Sequence, residues 1–246
     1  MPKLTHLRPE ELQAAVARRL PLVMAAGVIE YHGPHLPIGT DFLIANAIIE
    51  GAVARCDAIE APPLTFGPTM SWAADSDEGE VDFEPEPFFQ YVREAFRHFV
   101  RMGFRRIYVL QHHQGPEGLQ SLCLRRAAAE VQRELGRGFG PRWGRGSTAD
   151  LPIPEIFSLI RIAYCDTFSR YPSDKPERIP IGHGSKGETQ LMQAAHPDTV
   201  RMTALDEFPP PLPRWLQDSH LGTPEEGRRW LEFCIAGWVR ELSCQA

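Results

Sequence analysis

Cysteine is scarce and unpatterned in this chain. There are five residues, Cys56, Cys123, Cys165, Cys234 and Cys244, an odd number with no C-x-x-C pair. This excludes a disulfide framework and a thiolate zinc site, and fits buried thiols in a reducing cytoplasm. Long apolar runs are also missing. Met1 to Pro9 has no apolar stretch of the signal-peptide kind. The most apolar segment, Phe42 to Ala54, is broken by Glu50 and is too short to span a bilayer. Basic charge is in the minority, with 26 Lys and Arg against 32 Asp and Glu and a net charge of −6. A non-specific nucleic-acid binder would carry a basic stripe instead. No G-x-G-x-x-G or Walker-type loop follows the first apolar run, so a nucleotide-binding domain lacks its signature. Neither nucleic acid nor membrane is an expected partner, and the expected compartment is the cytoplasm.

What remains is an ordinary globular composition. Of 246 residues, 43% are hydrophobic and 24% charged, and the length allows a full core without disulfide staples. Residues 1–246 are expected to form a single domain. The 20 glycines and 23 prolines form no low-complexity tract, so they predict many shaped loops.

Periodicity gives the elements. Leu12, Val16 and Leu20 follow Pro9 and predict a short amphipathic helix. Leu22 to Val28 is a continuous apolar run, the pattern of a buried strand. Thr40 to Arg55 is apolar almost all round and predicts a buried helix. Ala58 to Phe66 is a weak strand containing Pro62 and Pro63, and an acidic loop follows from Gly67 to Pro87. Phe88, Phe89, Val92, Phe96, Phe99 and Val100 mark one helix face, with Gly103 as its C-cap. Further strands are expected at Ile107–Leu110 and Ile156–Tyr164, and helices at Leu119–Leu135 and Glu188–Ala195. A Pro-rich irregular stretch precedes Gly187. Thr223, Pro224 and Glu226 read as a capping box opening a terminal helix. Strands alternating with helices predict an α/β fold, a three-layer α/β/α sandwich with a mostly parallel central sheet.

Ligands of such folds gather at the carboxyl ends of the strands, and the chemistry-bearing residues fall there. After the first strand come Glu30, His32, His35 and, opening the next helix, Asp41. Glu30 and His32 stand at i and i+2 of an extended segment and face the same way. Asp41 sits where the helix dipole favours a carboxylate, so it reads either as a helix cap or as a third ligand. After the third strand come His112 and His113, and after the irregular stretch His183 and Glu188. Three strand or loop ends that each supply imidazole, two of them with carboxylate, predict a metal site. The set suits zinc, manganese or iron. His35, His112, Ser71 and Trp72 are expected at a substrate pocket, although Trp72 and Ser71 would equally cover a hydrophobic edge.

The segment from Gly27 to Asp41 resembles the opening motif of the creatininase family, G-x-x-E-x-H-G-x-H-L-P-x-x-T-D. It matches at Gly27, Glu30, His32, Gly33, His35, Leu36, Pro37, Thr40 and Asp41. The family's N-G-H-G-G-N motif resembles Gln111 to Pro116 only at His113 and Gly115, and its H-A-G-E-x-E-T-S motif resembles the stretch from His183 at His183, Glu188 and Thr189. The resemblance spans roughly Leu20 to Ala195 and implies two divalent transition-metal ions. It implies Glu30 and His113 on one, His32 on the other, Asp41 between them, and Glu188 completing the ligand set of the second metal. In creatininase proper a Glu two residues after the motif His is a ligand; Gly115 stands there here, which puts creatinine in doubt as the substrate. Two such ions lower the pKa of a shared water for attack on an amide, and His183 would carry the proton to the leaving nitrogen.

The implied activity is hydrolysis of a non-peptide C–N bond in a small-molecule cyclic amide or formamide. A peptidase of the same family, or a degenerate member that binds metal or ligand without turnover, are the alternatives. The resemblance also implies a homo-oligomer, with a hexamer among the family's forms. The segments from Gly67 to Pro87 and Gly136 to Gly182 are expected to shape the pocket.

Overall fold

The computed structural model describes residues 2–142, 153, 155–172 and 178–244. In chain order the regular elements are α1 (Pro9–Ala17), β1 (Leu22–Ala26), α2 (Thr40–Val53), β2 (Ile59–Glu60), α3 (Pro85–Met102), β3 (Ile107–Gln111), α4 (Leu119–Gly136), β4 (Ile160–Ala163), α5 (Lys186–Ala195), α6 (Thr203–Glu207) and α7 (Pro224–Ser243). Short 3-10 turns join several of them.

The four strands form one sheet in the order β2-β1-β3-β4, with every pairing parallel. Leu22 pairs with Ile107 and Ala26 with Gln111, so β1 and β3 end level at their carboxyl edge. Both central strands are buried along their whole length, as a sheet covered on two faces requires. Their side chains alternate between two cores. Leu22, Met24, Ala26, Ile107 and Val109 join the phenylalanine face of α3 and the apolar face of α4. Val23, Ala25, Tyr108 and Leu110 join α2, α5 and α7. This is the α/β/α sandwich expected from the sequence.

The phenylalanine face of α3 is buried as predicted, each such side chain being worth roughly 1.5–3 kcal/mol relative to exposure. Gly103 ends the helix in the left-handed region at φ +107°. Three expectations change. The weak strand at Ala58–Phe66 shrinks to Ile59–Glu60 with an isolated bridge from Ala26 to Leu64, because Pro62 and Pro63 have no N–H to continue the ladder. The strand expected at Ile156–Tyr164 begins only at Ile160, since Ile156–Ser158 is a 3-10 turn closed by Ser158 N–H onto Glu155 O at 2.9 Å. The capping box at α7 is half made: the Thr223 hydroxyl accepts from Glu226 N–H at 3.3 Å, while the Glu226 carboxylate pairs with Arg229. The Pro-rich irregular stretch and the segment 136–182 fall partly outside the described residues, at 143–152, 154 and 173–177.

Candidate metal centre

The site forms where β1 and β3 end. From Ala26 the chain leaves the sheet and returns as α2, and Gly27 is the point of closest approach. A Cβ there would lie 2.3 Å from the Phe42 backbone nitrogen and 2.7 Å from the Asp41 carbonyl carbon. Gly27 is pinned on both sides, its N–H donating to Leu64 O at 3.0 Å and its carbonyl accepting from Gln120 Nε2 at 2.8 Å. This packing sets the N-terminus of α2, and with it Asp41, against the segment that carries Glu30 and His32. The Gln111 side chain donates to the carbonyl of His113 and to Gln120 Oε1, and so shapes the turn beyond β3.

Glu30, His32, Asp41, His113 and Glu188 are all buried and their polar atoms converge. His113 Nδ1 lies 2.8 Å from Asp41 Oδ2 and 3.2 Å from Glu30 Oε2. His32 Nε2 lies 3.3 Å from Asp41 Oδ1, 3.6 Å from Glu188 Oε2 and 3.9 Å from Glu30 Oε2. His32 Nδ1–H donates to the Glu30 carbonyl at 3.0 Å, which fixes the tautomer and turns the Nε2 lone pair into the cluster. Glu188 Oε2 accepts from Gly184 N–H at 2.7 Å, and Glu188 Oε1 from His112 Nε2–H at 3.2 Å.

Two groups of ligand atoms lie within 4.8 Å of one another and share one residue: Glu30, Asp41 and His113, and His32, Asp41 and Glu188. A third group, Glu30, His32 and His183, draws one member from each. His183 is half-buried, with its Nδ1 3.7 Å from Glu30 Oε2. Its ring lies 4.3 Å from that of His32, tilted by 37°, and meets Trp215 edge-on at 4.8 Å.

Three buried carboxylates this close repel unless a cation stands among them. The electrostatics show the demand. Burial opposes charge on His32 and His113, but Asp41 and Glu30, joined at His32 by Glu188, outweigh it and raise both imidazoles to about 10. Burial likewise opposes charge on Asp41, yet His32 and His113 hold its carboxyl far below the usual range. Glu188 is also lowered, against burial, by His32 and His112. Glu30 Oε2, His32 Nε2 and His113 Nε2 are buried with no hydrogen-bond partner. Such an orphaned, anionic, imidazole-bearing set fits divalent metal ions.

Above the cluster opens a cavity of about 610 Å³, walled by Trp72, Ile181 and Trp215, with Thr69 and Gln114 as further polar groups and no Lys or Arg among the described residues of its lining. Of the four pocket residues expected from sequence, Trp72 lines it. Ser71, exposed at φ +45°, is not among its lining residues. His35 and His112 lie buried behind the wall, His35 Nε2 on Thr189 Oγ1 at 2.8 Å and His112 on Glu188. Thr69 and Ile181 come from the two segments expected to shape the pocket, whereas Trp215 and Gln114 are not among the expected pocket residues. Trp215 follows the prolines at Pro209–Pro213, where only a lone aromatic in a loop pointed to a site.

The Creatininase family model, described as creatinine amidohydrolase, matches residues 5–242. The chain belongs to the creatininase family. It is therefore a member of a family of metal-dependent amidohydrolases. Creatinine amidohydrolase of Pseudomonas putida is 24% identical over 242 residues, covering 88% of this chain and 86% of that protein. The mycofactocin precursor peptide peptidase of Mycolicibacterium smegmatis (strain ATCC 700084 / mc(2)155) is 41% identical over 70 residues, 24% of this chain and 28% of that protein. A solved structure described as creatininase Mn superposes with a TM-score of 0.76 at 22% identity, covering 98% of this chain and 96% of that one; the likeness is one of fold. No helix of the described residues is long and apolar enough to cross a membrane.

Proposed function

We propose that this chain is a dinuclear amidohydrolase acting on a small neutral or cationic amide. The observation that carries the reading is the pair of ligand triads sharing Asp41. Glu30, Asp41 and His113 would hold one ion, and His32, Asp41 and Glu188 the other. This division uses all five ligands that the family resemblance implies and leaves His183 out of both triads. Zinc, manganese and iron all suit the set. When bound, two such ions polarise an amide carbonyl and lower the pKa of a shared water.

The protein's own residues do the rest. Asp41 and the flanking carboxylates fix the ions deep in the fold. Trp72, Ile181 and Trp215 would flank the substrate, and a lining without Lys or Arg among the described residues disfavours acidic substrates. His183, tilted against His32 and edge-on to Trp215, stands at the cavity wall, where its imidazole would carry a proton to the leaving nitrogen. The substrate in view is a cyclic amide or a formamide. A peptidase reading has one specific observation behind it, the 70-residue match to the peptide peptidase.

The test is metal analysis of purified protein together with hydrolysis of a panel of lactams, formamides and short peptides. Two ions per chain and cleavage of a lactam or formamide are expected, with Glu30→Gln and His32→Ala losing both metal and activity. Protein that takes up no metal, or variants with full activity, would refute it; cleavage of peptides alone would favour the second reading.

A further inference from the structure

His112 does not line the cavity above the cluster and belongs to none of the converging ligand groups found among the described residues, yet it is buried to 4% exposure and touches one of their members. Its backbone is fixed, because its N–H continues the sheet ladder onto Ala26 O at 3.0 Å. Its ring donates from Nε2–H to Glu188 Oε1 at 3.2 Å and also interacts with the buried Cys165 thiol. The neighbouring His113 faces Asp41 and Glu30. Two consecutive residues at the end of β3 therefore reach both triads, as side chains alternating along an extended segment do.

A glutamate carboxylate has a broad, two-fold terminal torsion, so its plane is defined only when both oxygens are held. In Glu188 each oxygen has a partner. Oε2 accepts from Gly184 N–H at 2.7 Å, and the Gly184 carbonyl is itself anchored by Ser219 Oγ at 2.7 Å. Oε1 accepts from His112. With both bonds made, Oε2 stands 3.6 Å from His32 Nε2, in the triad with Asp41. Among the described residues, the hydrogen bond left to hold the carboxylate without His112 is at the oxygen that must also serve the triad.

We propose that His112 is a positioning residue of the second metal site, holding the Glu188 carboxylate in the orientation that completes the triad with His32 and Asp41. This rests on the reading of Glu188 as a ligand. Loss of an outer partner of this kind typically costs 10- to 100-fold in metal affinity, and here the cost falls on one ion of the two.

The experiment is a cobalt(II) titration of metal-stripped wild-type, His112→Leu and His112→Gln protein. Uptake is followed by visible absorption and calorimetry, and folding by near-ultraviolet circular dichroism. Leucine removes the donor; glutamine restores an N–H at comparable reach. Wild type is expected to bind two ions. The leucine variant is expected to keep one affinity and lose about 10- to 100-fold in the other, with the band of that site altered. The glutamine variant is expected to recover most of the loss. Two unchanged affinities in the leucine variant, or equal weakening of both ions in both variants, would overturn the role of His112 alone. Wild-type protein that takes up no cobalt would overturn the metal reading and this role with it, a failure visible before any substitution is made.

Discussion

Gly27→Ala tests whether the packing of β1 against α2 is what places Asp41. The added Cβ would sit 2.3 Å from Phe42 N and 2.6 Å from Phe42 Cα, where ordinary contact begins near 3.4 Å. The obstructing atoms are backbone, so no rotamer change relieves them. Gly27 cannot retreat without breaking its bonds to Leu64 and Gln120. The start of α2 must therefore move by about 1 Å, and overpacking of this kind costs about 1–3 kcal/mol. For a chain of this size that lowers the midpoint of thermal unfolding by roughly 2–12 °C. The functional loss should be larger, since a misplacement of about 1 Å at a reacting centre can cost about 100-fold in rate. Asp41 belongs to both triads, so both ions should bind more weakly. Thermal unfolding by circular dichroism and metal content by mass spectrometry check this. A variant with the melting point and metal content of the parent would refute the claim that Gly27 sets the position of Asp41.

Other outcomes follow from the same geometry. His32 and His113 are raised to about 10, so near neutral pH both carry protons that an incoming ion must displace; metal affinity should rise from pH 6 to pH 9, with proton release measurable by calorimetry in buffers of different ionisation heat. The sign reverses for the chelated protein. A raised imidazole pKa gives stability that is complete below about 6.5 and lost as pH rises through about 10, so melts in chelator should fall between pH 7 and pH 10. Trp72, 77% exposed at the cavity wall, should on substitution by alanine raise KM about 3- to 10-fold, the size of an aromatic contact of roughly 1 kcal/mol, with metal content and melting point unchanged. Cys244 should react at once with an aromatic disulfide reagent. Cys165 should wait for unfolding, because contact with the Cys234 thiol, together with burial, holds its pKa well above the ordinary value.

The sheet was legible because its central strands are buried on both faces and so read as unbroken apolar runs, Leu22 to Ala26 and Ile107 to Leu110. The convergence of the candidate ligands was legible because Glu30, His32, Asp41, His113 and Glu188 all follow strand ends or open helices, where parallel sheets gather polar groups. Direction was harder. Alternation implies that His112 and His113 point apart, but only the packing of α5 decides that His112 meets Glu188 behind the wall and His113 meets Asp41. Nothing in the motif matched by Gln111 to Pro116 foretells this, because a glycine stands there in place of His112. Short pieces were missed for physical reasons: α6 has only five residues and shows no periodicity, and the turn at Ile156–Ser158 is as apolar as the strand after it. Trp215 reaches the site from a loop far along the chain, a contact that no local pattern records.

The most direct measurement is anomalous diffraction from crystals of the metal-loaded protein, collected on either side of the metal's absorption edge. Two peaks flanking Asp41 are expected, one bonded to Glu30 and His113 and the other to His32 and Glu188, with His183 bonded to neither. A single peak, or one ligated by Glu30, His32 and His183 together, would contradict a dinuclear centre built on a shared Asp41.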